Sequence, residues 1–382
     1  MIILADRIFD EDLIGLGNTK VDTGKSWQDI ADFLNDRYDL CNTKDFYRKR
    51  YGKLVSREEK ELVDSNDISE MLLKLKKERI KISDERIQNN SYIRQLARDE
   101  TIKEIAFGIA EKIGTEKILS ISDRHVSGEN SAILQLSDWH YGIECNNYWN
   151  VYNPDICKKR IESLVSETIS YCKKNNVKNL YVLNLSDLIS GRIHTTIRLQ
   201  NRYDVLTQII HVSEILSEML NVFSDHFNVF YYDCYDNHSR IEPKKPESME
   251  EEQLTRITHW YLKKRFDGDK NVKVCENTYG NDIITLDIDG HSIGAVHGDK
   301  DSPSDVVERL SLMTGKSFEL ILIGHLHHFG ADEVDSCVVI QNGSLMGTDY
   351  YAVRLRKRSI PSQNIILINK DDVANDIHRV TF

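Results

Sequence analysis

The sequence of 382 residues lacks several features that would place it in well-known protein classes. It has only five prolines, and none precedes Pro154, so no proline interrupts a helix in the first part of the chain. Its seven cysteines include no C-x-x-C pair, which disfavours a disulfide framework or a zinc knuckle. No apolar run is long enough to cross a membrane, and no basic region precedes the amino-terminal apolar stretch. We therefore expect a protein of the cytoplasm that makes no membrane contact.

Composition and patterning predict three regions. The content of 40% hydrophobic and 29% charged residues is ordinary for a globular protein. A net charge of −11 disfavours coating of nucleic acid by the whole surface, although it leaves a local basic patch open. The pattern is helical before residue 118 and alternates between strands and helices after it. We predict a helical domain over 1–62, a charged helical linker over 63–117 and an α/β domain over 118–382.

The amino-terminal region has the pattern of two helices joined by a turn. Ser26 is a predicted helix N-cap, with Asp29 three residues later as a weak form of the capping box. A turn follows near 40–43, and a second helix begins at Asp45. Four basic residues lie on this second helix: Arg48, Lys49, Arg50 and Lys53. In a helix-turn-helix the second helix enters the DNA major groove, so the charge favours DNA anchoring. The alternative is a small helical bundle with a solvated basic face.

The predicted linker is basic. Residues 71–98 hold eight basic and three acidic side chains, a local charge of +5. Leu73, Ile80 and Ile87 recur every seven residues, but the second seam of a coiled coil is polar here. A charged connecting helix is the simpler interpretation, and homo-oligomerisation through it is the alternative.

After residue 118 the sequence predicts an α/β domain. Short apolar runs over 132–136, 180–185, 229–232, 292–296 and 320–323 have the length and composition of strands covered on both faces. Helical patterns separate them over 155–174, 202–223, 250–266 and 304–314. Ligands of such sheets bind outside the carboxyl ends of the strands. Any polar residues that follow these strands are therefore the candidates for a site.

Five polar clusters stand at those positions, each directly after an apolar run. They are Asp138-Trp139-His140, Ser186-Asp187, Asn237-His238, His297-Gly298 and Gly324-His325-Leu326-His327. Carboxylate, amide and imidazole groups are ligands of divalent cations, and there are enough here for two cations side by side. Alternation of side chains near a strand end predicts that Asp138 and His140 face one ion together, as do His325 and His327. Two adjacent cations favour phosphate-ester chemistry, so we expect an enzyme.

The clusters resemble the calcineurin-like metallophosphoesterases, whose motifs run D-x-H, G-D, G-N-H-D/E, H and G-H-x-H. The resemblance covers roughly residues 130 to 345. It implies a four-layer α/β/β/α sandwich and two metals, commonly manganese, iron or zinc, with manganese expected first. It also implies that His238 is a catalytic residue and not a ligand. The implied ligands are Asp138, His140 and His327 for one metal and Asn237, His297 and His325 for the other, with Asp187 between them.

The third block departs from the family pattern. It reads Asp236-Asn237-His238-Ser239, without the leading glycine and without the acidic residue after the histidine. In the family that acidic group often orients the catalytic imidazole, so another group must orient His238 here. The second block has Ser186 in place of glycine, which we expect to be tolerated.

Basic residues near the blocks are candidates for gripping a phosphate ester. Arg192, His194, Arg198, Arg202 and Arg240 follow the second and third blocks. Of these, His194 and Arg240 are our predicted substrate-binding residues, because each lies within a few positions of a predicted ligand or catalytic residue. The alternative for all five is an ordinary solvated surface.

The segments SDLISGRIH, NHSR and SWQDIADFLN…DFYRKRY resemble metallophosphoesterases encoded by phages and prophages of low-GC Gram-positive bacteria. Members are often placed with DNA-repair exonucleases, which implies a nuclease anchored by its amino-terminal helices and working in the host cytoplasm. We therefore predict a two-metal phosphodiesterase that hydrolyses DNA with a metal-activated water. One alternative is a phosphodiesterase or phosphatase for small cyclic or linear nucleotides. Another is a DNA-binding or assembly protein in which the metal centre is secondary.

Overall fold

The computed structural model describes residues 2–61, 71, 73–86, 89, 126–374 and 376–382. Contacts between residues divide the chain into two compact units, 1–97 and 98–382. The larger unit contains all five polar clusters.

Residues 2–61 of the first unit form four helices, α1 Ile2–Asn18, α2 Lys20–Thr23, α3 Trp27–Tyr38 and α4 Lys44–Glu61. The predicted capping box is confirmed, since Asp29 N–H donates to the Ser26 hydroxyl and the Asp29 carboxylate accepts from Ser26 N–H. The predicted turn is also present, and α4 begins one residue before the predicted start. Phe9, Leu13, Ile30, Ala31, Leu34 and Tyr47 form one buried core between α1, α3 and α4.

Most of the predicted linker lies outside the described residues. Residues 73–86 are helical, and all of their side chains are exposed. Ile87, the third residue of the predicted seven-residue repeat, is not among the described residues, so pairing of two copies through this helix stays a prediction.

The second unit alternates strands and helices, as predicted. Its strands are β1 Asn130–Leu136, β2 Cys145–Asn147, β3 Asn150–Tyr152, β4 Val177–Asn184, β5 Asn228–Asp233, β6 Val272–Val274, β7 Ile283–Ile288, β8 His291–Val296, β9 Leu320–Ile323, β10 Gly330–Val334, β11 Cys337–Gln341, β12 Ser362–Ile368 and β13 Asp376–Thr381. Its described helices are α5 Pro154–Lys174, α6 Thr195–Gln200, α7 Val205–Ser224, α8 Thr255–Arg265, α9 Val306–Thr314 and α10 Tyr350–Arg354, with a single 3₁₀ turn at Lys245–Glu247. Within the described part of the chain, no helix combines the length and apolar character needed to span a membrane.

Two sheets carry the fold. The first sheet has the order β13-β12-β1-β4-β5-β6, and β1, β4, β5 and β6 run parallel. The second sheet has the order β10-β11-β9-β8-β7, in which β8, β9 and β11 run parallel. Parallel neighbours bring their carboxyl ends to one edge, so the loops after β1, β4, β5, β8 and β9 are placed to meet.

The layers follow from three buried clusters. Side chains of both sheets, among them Ile133, Leu183, Ile293 and Leu322, pack against one another in the cluster between the sheets. Helices α5, α7 and α8 cover the outer face of the first sheet, and α9 covers the outer face of the second. The predicted four-layer α/β/β/α sandwich is therefore confirmed.

Candidate metal centre

Backbone hydrogen bonds tie the five polar clusters together at the strand ends. Asp138 N–H donates to the Ser186 carbonyl at 3.0 Å, and His140 N–H donates to the Asp187 carbonyl at 2.9 Å. His325 N–H donates to Asp138 Oδ2 at 3.1 Å, and His238 N–H donates to Asp187 Oδ1 at 3.2 Å. Gly324 N–H and the His297 carbonyl, 2.9 Å apart, join the last two clusters. The sequence prediction that these clusters share one rim is confirmed.

The side chains of these clusters do not converge through strand alternation, which was the expectation for positions i and i+2. Instead, Asp138, His140, Asp187, His325 and His327 lie beyond their strands with φ between 46° and 61°. Left-handed backbone is uncommon for such residues and collects at functional sites, where surrounding structure holds it in place. The side chains converge because each loop turns sharply in this conformation.

The first group of ligand atoms comes from Asp138, His140, Asp187 and His327, all within 4.8 Å of one another. His327 Nε2 lies 3.3 Å from Asp138 Oδ1 and 3.1 Å from His140 Nε2. Asp138 Oδ1 is buried and accepts no hydrogen bond. Buried polar atoms normally have hydrogen-bond partners. A buried carboxylate oxygen that has no donor and lies close to imidazole nitrogens is therefore suited to binding a cation.

The second group comes from Asp187, His297 and His325, again within 4.8 Å. His297 Nδ1 contacts the Leu185 carbonyl at 2.7 Å, and since a carbonyl only accepts, Nδ1 carries the proton. This leaves His297 Nε2 facing Asp187 Oδ2 at 3.3 Å and Asn237 Oδ1 at 2.9 Å. Asp187 Oδ2 is the second buried oxygen without a hydrogen-bond donor. A backbone acceptor that fixes the imidazole tautomer is typical of a metal-binding histidine.

Asp187 belongs to both groups of potential ligand atoms. The two groups include six of the seven predicted ligands, and the seventh, Asn237, contacts the second group through His297 Nε2. The residues present therefore fit two divalent metals. Their roles as ligands stay predictions.

Electrostatics of the centre favour added positive charge. Burial opposes ionisation of Asp187, but the histidines around it, His238 and His297 first, hold its pKa well below the ordinary value. Burial likewise opposes protonation of His297, but Asp187 outweighs it and raises the pKa of His297 to about 10. Burial together with repulsion from His238 lowers the pKa of His140 well below its usual range. A cation therefore stabilises the two buried carboxylates, and a divalent ion stabilises them more than a proton does.

His238 is oriented by the backbone, which answers the question raised by the missing acidic residue. Its Nδ1 lies 2.7 Å from the Ser190 carbonyl and must donate to it. Its Nε2 is then directed toward the centre, 3.9 Å from Asp187 Oδ2. Gly191 has φ of 65°, and a Cβ there would collide with the His238 carbonyl, so glycine permits this close approach.

Sequence reasoning missed Asp236, which was noted only as a departure from the glycine of the family motif. Its buried carboxylate accepts from Asp187 N–H at 3.1 Å and from the Ser239 hydroxyl at 2.8 Å. Burial and the charge of Asp187 raise the pKa of Asp236 to about 6. The sequence signal was an acidic residue directly before a predicted ligand. Asp236 connects the loops that carry Asp187 and His238.

The predicted substrate-binding residues occupy different settings. His194 is exposed and stands at the start of the short helix α6. Arg240 is largely buried, its Nη2 donates to the Pro243 carbonyl at 3.2 Å, and its Nε has no hydrogen-bond partner. Two other arginines have structural partners: Arg192 donates to the Ile241 carbonyl, and Arg202 pairs with Glu144 and Asp155. No described contact joins His194 or Arg240 to the ligand groups.

No family model matches the chain. It is similar to an uncharacterized protein, YonJ, derived from the SPbeta prophage of Bacillus subtilis strain 168, with 26% identity over 349 residues. The matched region covers 86% of this chain and 85% of that relative. The predicted resemblance to prophage-encoded proteins is confirmed.

Several solved structures are similar over about two thirds of the chain. A novel archaeal phosphodiesterase has a TM-score of 0.34 and 15% identity, covering 66% of this chain and 99% of its own. Zinc-complexed Vps29 from Entamoeba histolytica has a TM-score of 0.32 and 11% identity, covering 65% and 98%. A predicted phosphoesterase from Streptococcus pneumoniae TIGR4 has a TM-score of 0.26 and 9% identity, covering 68% and 100%.

The chain has a four-layer α/β/β/α sandwich, and its five motif blocks meet at one edge of the two sheets. The resemblance to calcineurin-like metallophosphoesterases is confirmed at the level of the fold and of a candidate divalent-metal centre.

Proposed function

We propose that this protein is a two-metal-dependent phosphodiesterase that hydrolyses DNA phosphodiester bonds. The observation that carries the proposal is the shared carboxylate: Asp187 contributes to two adjacent ligand groups, and its buried Oδ2 has no hydrogen-bond donor. Adjacent divalent ions suit phosphate esters because they bind phosphoryl oxygens and acidify a water molecule that becomes the nucleophile.

The ligand groups divide between two ions. Asp138, His140 and His327 would hold one ion, and Asn237, His297 and His325 would hold the other, with Asp187 contributing to both. Mixed carboxylate, amide and imidazole donors suit manganese, and iron or zinc are the alternatives. Two divalent ions and two aspartates leave the centre positively charged, so a phosphate diester is attracted to it even though the protein is acidic.

His238 has the position of an acid for the departing oxygen. Its Nδ1 proton is committed to the Ser190 carbonyl, so Nε2 is the atom that exchanges a proton with substrate. Asp187 Oδ2 lies 3.9 Å from this Nε2 atom. The Ser190 carbonyl thus supplies the orientation that an acidic residue supplies elsewhere, and Arg240 and His194 are the residues we propose for contacting the ester.

The charge distribution supports DNA as the substrate. Arg48, Lys49 and Lys53 are exposed on α4, a helix whose buried side is fixed by Tyr47. We propose that this face anchors the DNA backbone, as the second helix of a helix-turn-helix does.

The decisive experiment measures manganese-dependent cleavage of labelled single- and double-stranded DNA beside a panel of cyclic and linear nucleotides. DNA cleavage should fall steeply as salt rises, because backbone contacts release counterions. Turnover of a small nucleotide that changes little with salt, together with no DNA cleavage, would favour the small-nucleotide alternative.

A charge reversal tests the anchor separately. Arg48→Glu with Lys49→Glu should weaken binding of long DNA at least tenfold, since each lost phosphate contact removes counterion release. Lys173→Glu with Lys174→Glu, at the exposed end of α5, is the matched control and should have little effect. Equal effects of the two pairs would exclude a specific anchoring role for α4.

A further inference from the structure

A short hairpin next to the metal centre exposes two aromatic rings. Strands β2 and β3 pair antiparallel, and Tyr148 and Trp149 form the tip between them. Tyr148 is 92% exposed and Trp149 is 48% exposed, with ring centroids 5.4 Å apart and planes at 81°. Large aromatic side chains left side by side in solvent mark an interaction site more often than an accident of folding.

Hydrogen bonds fix the conformation of the hairpin and therefore the position of its exposed tip. Asn147 Oδ1 accepts from Trp149 N–H at 2.9 Å and from Asn150 N–H at 3.0 Å, which closes the turn. Asn147 Nδ2 donates to the Thr348 carbonyl, and Asn150 Nδ2 donates to the Met346 carbonyl at 2.8 Å. These bonds fasten the hairpin to the segment that follows β11.

A basic run lies on the same segment. The Tyr350 hydroxyl, on α10, donates to the Asn146 carbonyl at 2.8 Å and so joins α10 to the hairpin. Residues 354–358 follow, and four of the five are basic and exposed: Arg354, Arg356, Lys357 and Arg358. None of the four forms an ion pair with a carboxylate among the described residues. A local concentration of unpaired positive charge in an acidic protein favours binding of an anionic partner.

The same bonds connect these features to the metal centre. Met346 N–H and the Ser344 hydroxyl both donate to the Asp138 carbonyl, at 3.3 and 2.9 Å. The Tyr152 hydroxyl, at the end of the hairpin, donates to the Trp139 carbonyl, between two predicted ligands. Aromatic tip and basic run are therefore fixed to the loop that carries Asp138 and His140.

We propose that the aromatic–basic platform, defined as Tyr148, Trp149 and residues 354–358, binds single-stranded nucleic acid beside the metal centre. Unpaired bases stack on aromatic rings, and the basic run contacts the phosphates that link them. A base pair inside a duplex offers no free face to the two rings. The inference rests on the proposed function and deepens it, because it makes an unpaired strand the form in which substrate reaches the metals.

Direct binding tests the platform without any turnover. The full chain, in chelator, is titrated into a fluorescein-labelled 20-nucleotide oligothymidylate, and binding is followed by anisotropy. Tyr148→Ala with Trp149→Ala should weaken binding roughly tenfold or more, as expected for lost base stacking. Trp149→Phe should keep most of the affinity. The matched control is Trp260→Ala on α8, which removes an aromatic ring of similar exposure and should change nothing.

The basic run has its own test. Arg356→Ala with Lys357→Ala should reduce the slope of log affinity against log salt by about 0.7 for each phosphate contact removed. Lys173→Ala with Lys174→Ala is the matched control and should leave the slope unchanged. An unchanged slope in the first pair would overturn the basic half of the platform.

Further arms separate the platform from the proposed function. With manganese, wild type and the platform variants should hydrolyse the small diester bis(4-nitrophenyl) phosphate at equal rates. If no diester is hydrolysed but the aromatic variant still loses oligonucleotide binding, the platform stands and the phosphodiesterase proposal fails. The platform is wrong if the aromatic variant binds the oligonucleotide like wild type, if the same two substitutions weaken binding of a blunt duplex by the same factor, or if anionic phosphatidylserine vesicles bind in place of DNA.

Discussion

Two clusters of histidine and carboxylate in the second unit have similar composition and opposite organisation. One is the metal centre. The other, which we call the His259 cluster, comprises His259, Asp233, Glu276 and Lys263. In it His259 Nδ1 lies 2.9 Å from Asp233 Oδ1, Nε2 lies 3.4 Å from Glu276 Oε1, and Lys263 pairs with Glu276. Each ring nitrogen of His259 thus faces a carboxylate oxygen.

In the metal centre, imidazole nitrogens face one another as well as carboxylate oxygens. His140 and His327 approach with Nε2 atoms 3.1 Å apart, and His297 Nε2 lies 3.1 Å from His325 Nδ1. Oxygens of Asp138 and Asp187 remain without donors between them. The His259 cluster carries its own cations, whereas the metal centre gathers lone pairs around points where a cation fits. Composition alone does not distinguish the two; the direction of the lone pairs does.

The largest expected effect comes from Asp187, because it serves both ligand groups. Asp187→Ala should lower turnover of a phosphodiester by roughly 10³-fold or more, about 4 kcal/mol of barrier, and should reduce bound metal. Metal content is measured by inductively coupled plasma mass spectrometry, with Asp233→Ala in the His259 cluster as the matched control. Full metal content in Asp187→Ala would remove the distinction drawn between the two clusters.

His238 sharpens the comparison, since it lies in the centre without being a predicted ligand. His238→Ala should lower turnover by roughly 10²-fold or more, as for loss of a general acid, while both metals stay bound. Substrates with a better leaving group should lose less, because they need less protonation. An emptied metal site in this variant would show that His238 is a ligand and that its catalytic role is wrong.

The sequence predicted the parts of the fold that depend on local pattern. All five predicted strands and the four helices between them are present, with ends within a few residues of the prediction; the largest shift is at α8, which begins five residues late. Their apolar runs are continuous because both faces of each sheet are covered. The antiparallel strands β12 and β13 were not predicted. β12 pairs with β1, more than two hundred residues away in the sequence, and β13 joins the sheet only through β12.

The residues of the candidate site could be predicted from the sequence, but the backbone conformation and main-chain hydrogen bonds that position them could not. Ligand types and spacing identified residues that lie together, whereas the left-handed backbone of Asp138 and His327 has only a weak signal in their identity. Aspartate and histidine adopt positive φ more often than most residues, but still rarely. The acceptor that orients His238 is a main-chain carbonyl, and any residue at position 190 would provide one. Side-chain chemistry can be read from sequence, but backbone groups acquire a role only when the chain is folded.

Metal removal tests the cation requirement of the centre through stability. Chelation should lower the free energy of unfolding by about 3 kcal/mol relative to protein with metal at a hundredfold excess over its dissociation constant. Differential scanning calorimetry measures the shift in Tm, and manganese should restore it. In Asp187→Ala, chelation should produce a much smaller shift, and an undiminished shift would place the stabilising metal elsewhere.

The His259 cluster should show the opposite behaviour: indifference to metal and sensitivity to pH. Burial opposes protonation of His259, but Asp233 and Glu276 outweigh it and raise its pKa to about 9. Because the folded pKa exceeds the ordinary value of 6.5, the imidazolium stabilises the fold fully below that value and ceases to do so as pH rises through 9. Exposed Glu276 screens part of the effect, so His259→Gln should cost about 2 kcal/mol at pH 6 and little at pH 10. Urea denaturation at the two pH values measures this difference, and bound metal should be unchanged. A cost that does not depend on pH, or one that grows as pH rises, would mean that His259 is held neutral, and the cluster would then lack the internal cation that sets it apart from the metal centre.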